Sequence, residues 1–157
     1  AHNMLVDATT EDLRRICEPK SVTMTEYMKP VLFKHSIRLT SEITGQLLPN
    51  IHVVDAFSTL LPPASSTGVP KFESAKLIGE LEGVRRSFYG GVIGYFSFNG
   101  NVNFTLLMQT MVVKENRAFI QSGANVLADS ETDIALLEVK KKIKAFLVME
   151  EKASVKK

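Results

Sequence analysis

One thiol, one Glu–Lys pair and a few polar residues beside glycines are the candidates for chemistry in this 157-residue chain. Cys17 is the only cysteine, so no disulfide can form within the chain. It ends the stretch Asp12-Leu13-Arg14-Arg15-Ile16 on an expected helix. Nothing beside it supplies the base a catalytic thiol needs, so it reads as a buried, inert side chain. Glu138 and Lys142 share one face of another expected helix, the spacing of an ordinary surface ion pair. The basic run at 140–144 lies on that helix. With 19 basic against 17 acidic residues the net charge is only +2, so the run reads as a solvated helix face. The sequence holds no zinc-finger spacing and no aromatic RNA-binding motif, so no nucleic-acid partner is expected. No apolar stretch is long enough to cross a bilayer, and the opening residues lack the apolar segment of a signal peptide. No membrane partner is expected, and a cytoplasmic location is the default.

These residues need elements to hold them. Residues 9–17 read as a short helix with Thr9 or Thr10 as its N-cap. Residues 31–43 alternate, with Val31, Phe33, Ile37, Leu39 and Ile43 on one face, and are expected to form one half-buried strand. His35 falls on the opposite face of that strand from Arg38 and is expected to be packed. Asn50 is expected to cap a helix running through Leu61, and residues 60–69 read as a loop. Pro70 suits the first turn of a further helix, with Phe72, Ala75, Ile78 and Leu81 as its stripe and Gly83 as its stop. A strand is expected from Tyr89, a hairpin turn at Asn99-Gly100, a second strand over 103–113, a turn at 114–116 and a third strand over 118–122. A last helix starts at Ser130, with Asp133 completing a capping-box-like pair. Its stripe is Leu136, Val139, Ile143, Phe146 and Leu147. The expected fold class is α+β: antiparallel sheets with helices packed outside, in a single domain over residues 1–150, with a frayed tail from 151. Open sheet edges would favour a homodimer or pairing with a second chain.

Several stretches, in order, resemble the last third of the chorismate-utilising enzymes, most of all anthranilate synthase component I. Relatives in that group are the aminodeoxychorismate, isochorismate and salicylate synthases. His2-Asn3-Met4-Leu5-Val6-Asp7, with Asp12-Leu13 and Arg15-Ile16-Cys17, resembles EHxMLVDLxRNDLxRxC. Thr67-Gly68-Val69-Pro70-Lys71 resembles the SGAPK turn. Leu81-Glu82-Gly83, Arg85-Arg86, Tyr89-Gly90-Gly91 and Gly94-Tyr95-Phe96 resemble ELExxRRxxYGGxxGYF. Gln121-Ser122-Gly123-Ala124 with Ala128-Asp129-Ser130 is similar to QAGAGIVADS, and Glu138 with Lys142 to the ExTxNK helix. The family's N-terminal domain and the first part of its chorismate-binding domain have no counterpart among these residues. The expectation is therefore a fragment, a half that needs a partner, or a shortened relative.

The resemblance implies a substrate and a chemistry. The family adds ammonia or water to chorismate at a magnesium-dependent site, and the anthranilate-forming members then eliminate pyruvate in tryptophan biosynthesis. Chorismate is a dianion, so its site must aim donors at two carboxylates. Tyr89 matches a tyrosine that hydrogen-bonds one of them, since a phenol donates without carrying charge. A strand tyrosine packing its ring is the other reading of Tyr89. Gly123 and Ala124 match a turn whose amides contact the second carboxylate. Asn125 stands where the family has glycine and tolerates positive φ. Glu138 matches a magnesium ligand, and Lys142 lies on its helix face. Ser65 keeps the hydroxyl of a family threonine, and Lys71 is expected to fix the loop. A glutamine amidotransferase subunit is the implied partner, because the nearest relatives receive ammonia from one.

The departures fall on the same site. Arg38 stands at the family's acid–base histidine, and arginine is not deprotonated at working pH. It could serve as a carboxylate partner instead. Gln109 stands at a carboxylate-binding arginine, and Ala1 and Ala135 stand at acidic positions. One lost charge-assisted contact costs about 1.5–3 kcal/mol. A missing acid–base group removes a further ~10²–10⁴ in rate. Two expectations follow: a chorismate-binding relative with a damaged site, or a non-catalytic relative that regulates, pairs with another chain or binds a different small anion.

Overall fold

The structure is a computed structural model that describes residues 1–33 and 36–154. It divides into two compact units, Ala1–Leu81 and Glu82–Lys157. The class is α+β with antiparallel pairing throughout, as expected from the sequence. Among the described residues the strands form three separate two-stranded ladders.

The first unit opens with helix α1 (His2–Arg14), followed by strands β1 (Thr23–Phe33) and β2 (Ser36–Thr44). Helices α2 (Val53–Thr59), α3 (Ala64–Thr67) and α4 (Lys71–Leu81) complete it. Its core is small. Ile16, Cys17 and Ala56 are buried together, with Leu13, Val22, Ile51 and Leu60 packed around them. The Lys71 ammonium donates to the Asp12 carboxylate, and both side chains are nearly buried. Lys71 thus ties the start of α4 to α1, in keeping with a loop-fixing role. Glycine is required at position 45 because a Cβ there would lie 2.7 Å from Cys17 Sγ.

Several boundaries differ from the sequence reading. The residues read as one strand over 31–43 belong to two, paired from Thr23↔Thr44 to Phe33↔Ser36. Alternation in the sequence runs unbroken from Val31 to Ile43, so nothing in the pattern marks two strands rather than one. His35 lies outside the described residues. The ladder is not half-buried: Leu32 is 80% and Ile37 70% exposed. Thr9 and Thr10 do not cap α1 but lie inside it, their hydroxyls donating to the Leu5 and Val6 carbonyls at 2.8 Å. This back-bonding satisfies within the helix the same group that favours caps. The cap of α2 is His52, whose Nδ1 accepts from the Val54 N–H at 3.3 Å, in place of Asn50. The expected loop at 60–69 contains the single turn of α3. The stripe of α4 is not buried, with Phe72 75% and Leu81 79% exposed.

The second unit holds β3 (Val92–Phe96), β4 (Val102–Leu106), β5 (Met111–Lys114), β6 (Arg117–Ile120) and helix α5 (Thr132–Ser154). β3 and β4 turn at Asn99-Gly100, where Gly100 has φ 86° and Asn99 Oδ1 accepts from the Asn101 N–H at 3.1 Å. Gly94 faces Phe104 across this ladder, and a Cβ at 94 would meet the Asn103 carbonyl oxygen at 2.0 Å. The bare glycine lets Phe96 and Phe104 set their rings edge to face, 5.0 Å apart. The strand expected over 103–113 is two, β4 and β5, divided at 107–110. β5 and β6 turn through Glu115 and Asn116, both at positive φ (51° and 59°). Ser130 does not cap α5. Its hydroxyl accepts from the Leu127 N–H at 2.8 Å, closing a turn before the helix. α5 runs to Ser154, past residue 151.

Little of the chain is deeply buried, and among the described residues no large side chain is fully enclosed. The accessible surface is 12,227 Å². Two compact units of half the chain each would expose roughly 9,500 Å² together. Large apolar side chains on ladders and helices alike are exposed, among them Leu32, Leu81 and Val113.

Candidate anion-binding site

In the second unit a turn, a loop and a helix meet at Gly123. The turn before β3 carries Tyr89. Its N–H donates to the Arg86 carbonyl at 2.9 Å, and Gly90 and Leu107 then start the ladder through a 2.8 Å bond. Arg86 is held in turn by Glu82, with Nε to Oε2 at 2.8 Å and Nη2 to Oε1 at 2.5 Å. Its guanidinium carbon lies 5.5 Å from the centre of the Tyr89 ring. The hydrogen bonds from Arg86 hold the Glu82 carboxyl below its ordinary range, and the same bonds push the guanidinium up. The pair fixes one face of the Tyr89 ring.

The Tyr89 hydroxyl reaches the α-carbon side of Gly123. A Cβ at 123 would sit 2.8 Å from that oxygen and 3.5 Å from Cζ. Close approach therefore demands glycine here. On the other side Lys142 Nζ donates to the Gly123 carbonyl oxygen at 2.9 Å. The same ammonium pairs with Glu138 Oε1 at 2.5 Å, one turn back on α5. Tyr89, Gly123, Lys142 and Glu138 thus form one connected group, with half-buried Ala124 next along the chain. A phenol O–H and an ammonium beside a loop of backbone amides are donors suited to a carboxylate.

Tyr89 also lines a half-open groove of about 600 Å³. Val84, Phe88, Val112 and Phe119 make its apolar walls, and Arg85, Arg86 and Lys114 bring positive charge. Sequence reasoning missed Glu82 and Arg86 as supports of Tyr89, because residues 82–86 are not helical and the helix i,i+4 rule gives no signal there.

The other candidates lie elsewhere. Gln109 is exposed in the connection between β4 and β5. Ser65 and Arg38 belong to the first unit. Ser65 is half-buried in α3. Arg38 is exposed on β2 opposite Val31, its guanidinium carbon 5.8 Å from the Phe33 ring centre. Cys17 follows α1 and pairs with Leu47 through an isolated bridge. Burial pushes its thiol above the ordinary value, which disfavours the nucleophilic thiolate.

A magnesium ion needs several hard oxygens. Among the described residues no group of three or more His, Cys, Asp or Glu is placed to hold a metal. Glu138 is a lone, exposed carboxylate already paired with Lys142, and Ala135 offers only a methyl. The residues of the second unit do not fit the ion.

The α+β ladders and this donor cluster define a class that comparison with known proteins identifies. Residues 2–148 match the family model of the chorismate binding enzyme. The chain belongs to that family. It is 41% identical over 129 residues to anthranilate synthase component 1 of Bacillus subtilis, covering 82% of this chain and 25% of the relative. The Mycolicibacterium smegmatis protein of that name is 36% identical over 146 residues, covering 93% and 28%. Among solved structures, anthranilate synthase component I from Streptococcus pneumoniae superposes with TM-score 0.85 at 38% identity, covering 90% of this chain and 32% of that one. A 2,3-dihydroxybenzoate-specific isochorismate synthase from Bacillus anthracis gives TM-score 0.82 at 26% identity, covering 93% and 39%. The chain spans about a quarter to two fifths of the length of these relatives. Among the described residues no helix is long and apolar enough to cross a membrane.

Proposed function

We propose that this chain binds chorismate or a closely similar small dianion through Tyr89, Gly123, Ala124 and Lys142, as part of a chorismate-binding domain of the anthranilate synthase type. The observation that carries the reading is the Tyr89–Gly123–Lys142 group: a phenol and an ammonium converge on one loop whose packing leaves no room for a side chain at 123. Residues 1–150 act as one partial domain of a cytoplasmic tryptophan-pathway protein. Ser65, Arg38 and Gln109 are further candidates for substrate contacts. The exposed apolar surface and the open ladder edges support pairing with a second copy or with another chain, a glutamine amidotransferase subunit among the candidates.

A thermal-shift titration tests this. Binding to the folded state alone raises the melting temperature. Chorismate is expected to raise it, Tyr89→Phe to reduce the rise, and benzoate to give a smaller one. No shift at millimolar chorismate sinks the proposal.

A second reading has its own support. Arg38 cannot serve as a general base, Gln109 carries no charge and Ala135 no carboxylate. These three favour a relative that binds but does not turn over its ligand. Fluorescent anthranilate formed from chorismate and ammonium would exclude it. Binding without product would establish it.

A further inference from the structure

The cluster around Gly123 carries a single carboxylate, Glu138, and that one is already paired with Lys142. Counting along α5, the position one turn before Glu138 is Ala135. Asp133 lies five residues before Glu138, on a different face. Glu131 lies seven before it, about 10 Å away along the axis. Neither can share an ion with Glu138. The remaining carboxylate is engaged by Lys142 at 2.5 Å, and the charges of that pair cancel. Magnesium surrenders its water reluctantly and gains little from one neutralised, monodentate oxygen.

Lys142 is held on two sides. Glu138 accepts one ammonium hydrogen and the Gly123 carbonyl another, at 2.9 Å. An ammonium has three. The third is available to an incoming anion, and the Tyr89 hydroxyl approaches the same residue, Gly123. We infer that the second unit binds its anion without a divalent metal, through N–H and O–H donors, Lys142 supplying an ammonium hydrogen and Tyr89 its phenol. The anion half of this inference rests on the ligand reading above. The metal half does not.

The test has two arms on the full chain. In the first, loss of the free manganese(II) paramagnetic resonance signal reports metal binding to the wild type, Glu138→Gln and Ala135→Glu. The wild type and Glu138→Gln are expected to leave the signal alike. Ala135→Glu, which places a second carboxylate one turn from the first, is expected to bind at least tenfold more tightly. Both substituted positions are exposed or half-exposed, and far-UV circular dichroism checks that the variants keep their helix content. Saturable manganese binding by the wild type that Glu138→Gln removes would overturn the metal half. In the second arm, calorimetric titration with chorismate in EDTA and in magnesium is expected to give affinities equal within twofold, and Lys142→Met to weaken both at least tenfold. A tenfold gain on adding magnesium, or no effect of Lys142→Met, overturns the inference. Absence of chorismate binding in either buffer overturns the anion half together with the ligand reading, while the manganese arm still decides the metal half.

Discussion

The Tyr89 hydroxyl lies where the first side-chain atom of any residue but glycine at position 123 would have to go, 2.8 Å from that point. This contact couples a strand-leading turn to the loop that α5 grips through Lys142. It makes the loop's position a property of the tyrosine as much as of the helix.

Gly123→Ala is expected to cost about 1–3 kcal/mol of stability, the usual range for overpacking. Tyr89→Phe removes the clashing oxygen and leaves Cζ at an ordinary 3.5 Å. In that background the alanine is expected to cost less than about 1 kcal/mol. Urea denaturation of the four proteins in the cycle measures the coupling. Equal costs in both backgrounds would show that the contact is not the constraint.

Lys71→Met leaves the Asp12 carboxylate nearly buried and unpaired. The expected loss is about 3–5 kcal/mol, because the desolvation cost of the remaining charge is no longer offset. Replacing Asp12 with Asn in the same chain is expected to recover part of it. Denaturant midpoints at constant slope give both values.

At Gly94 the obstacle is backbone rather than side chain. A methyl there meets the Asn103 carbonyl oxygen at 2.0 Å, so β3 and β4 must separate. Gly94→Ala is expected to cost at least about 3 kcal/mol. It should also abolish hydrogen-exchange protection along Val92–Phe96, while the β5–β6 ladder keeps its own. Retained protection would mean that the ladder tolerates the wider spacing.

Cys17 gives the pH dependence. Burial raises its thiol above the ordinary 9.0, so the folded chain holds that proton more tightly than the unfolded one. The contribution is fully present below pH 9 and is lost as the pH climbs from there towards the folded value. The stability difference between the wild type and Cys17→Ala should be flat from pH 7 to 8.5 and shrink above 9. A difference constant to pH 10.5 would place the thiol in contact with water.

Much of the second unit was legible in the sequence because its turns announce themselves. Asn99-Gly100 and the Lys114–Asn116 reversal carry residues that accept positive φ, and the glycine-flanked Tyr89 marks where the ladder begins. The cluster of Tyr89, Gly123, Lys142 and Glu138 was also within reach, since the motif resemblance named all four. The β1–β2 hairpin was not, because alternation runs unbroken from Val31 to Ile43. Pro30 and the register shifts around Glu26 further mask β1 as a strand. The support given by Glu82 and Arg86 was hidden differently: a guanidinium over a ring is a matter of orientation, which spacing does not encode. Magnesium was the inherited expectation for Glu138. Ala135 and the Lys142 pairing explain why the second unit does not fit it.

All three ladders join strands that are neighbours along the chain. Each needs only its own turn to find its partner, and closing so short a loop costs little entropy. A protease cut in the 107–110 connection would therefore leave both flanking hairpins with their two strands. Such a nick would spare the pairing within each hairpin while separating the two hairpins that the ligand site needs joined.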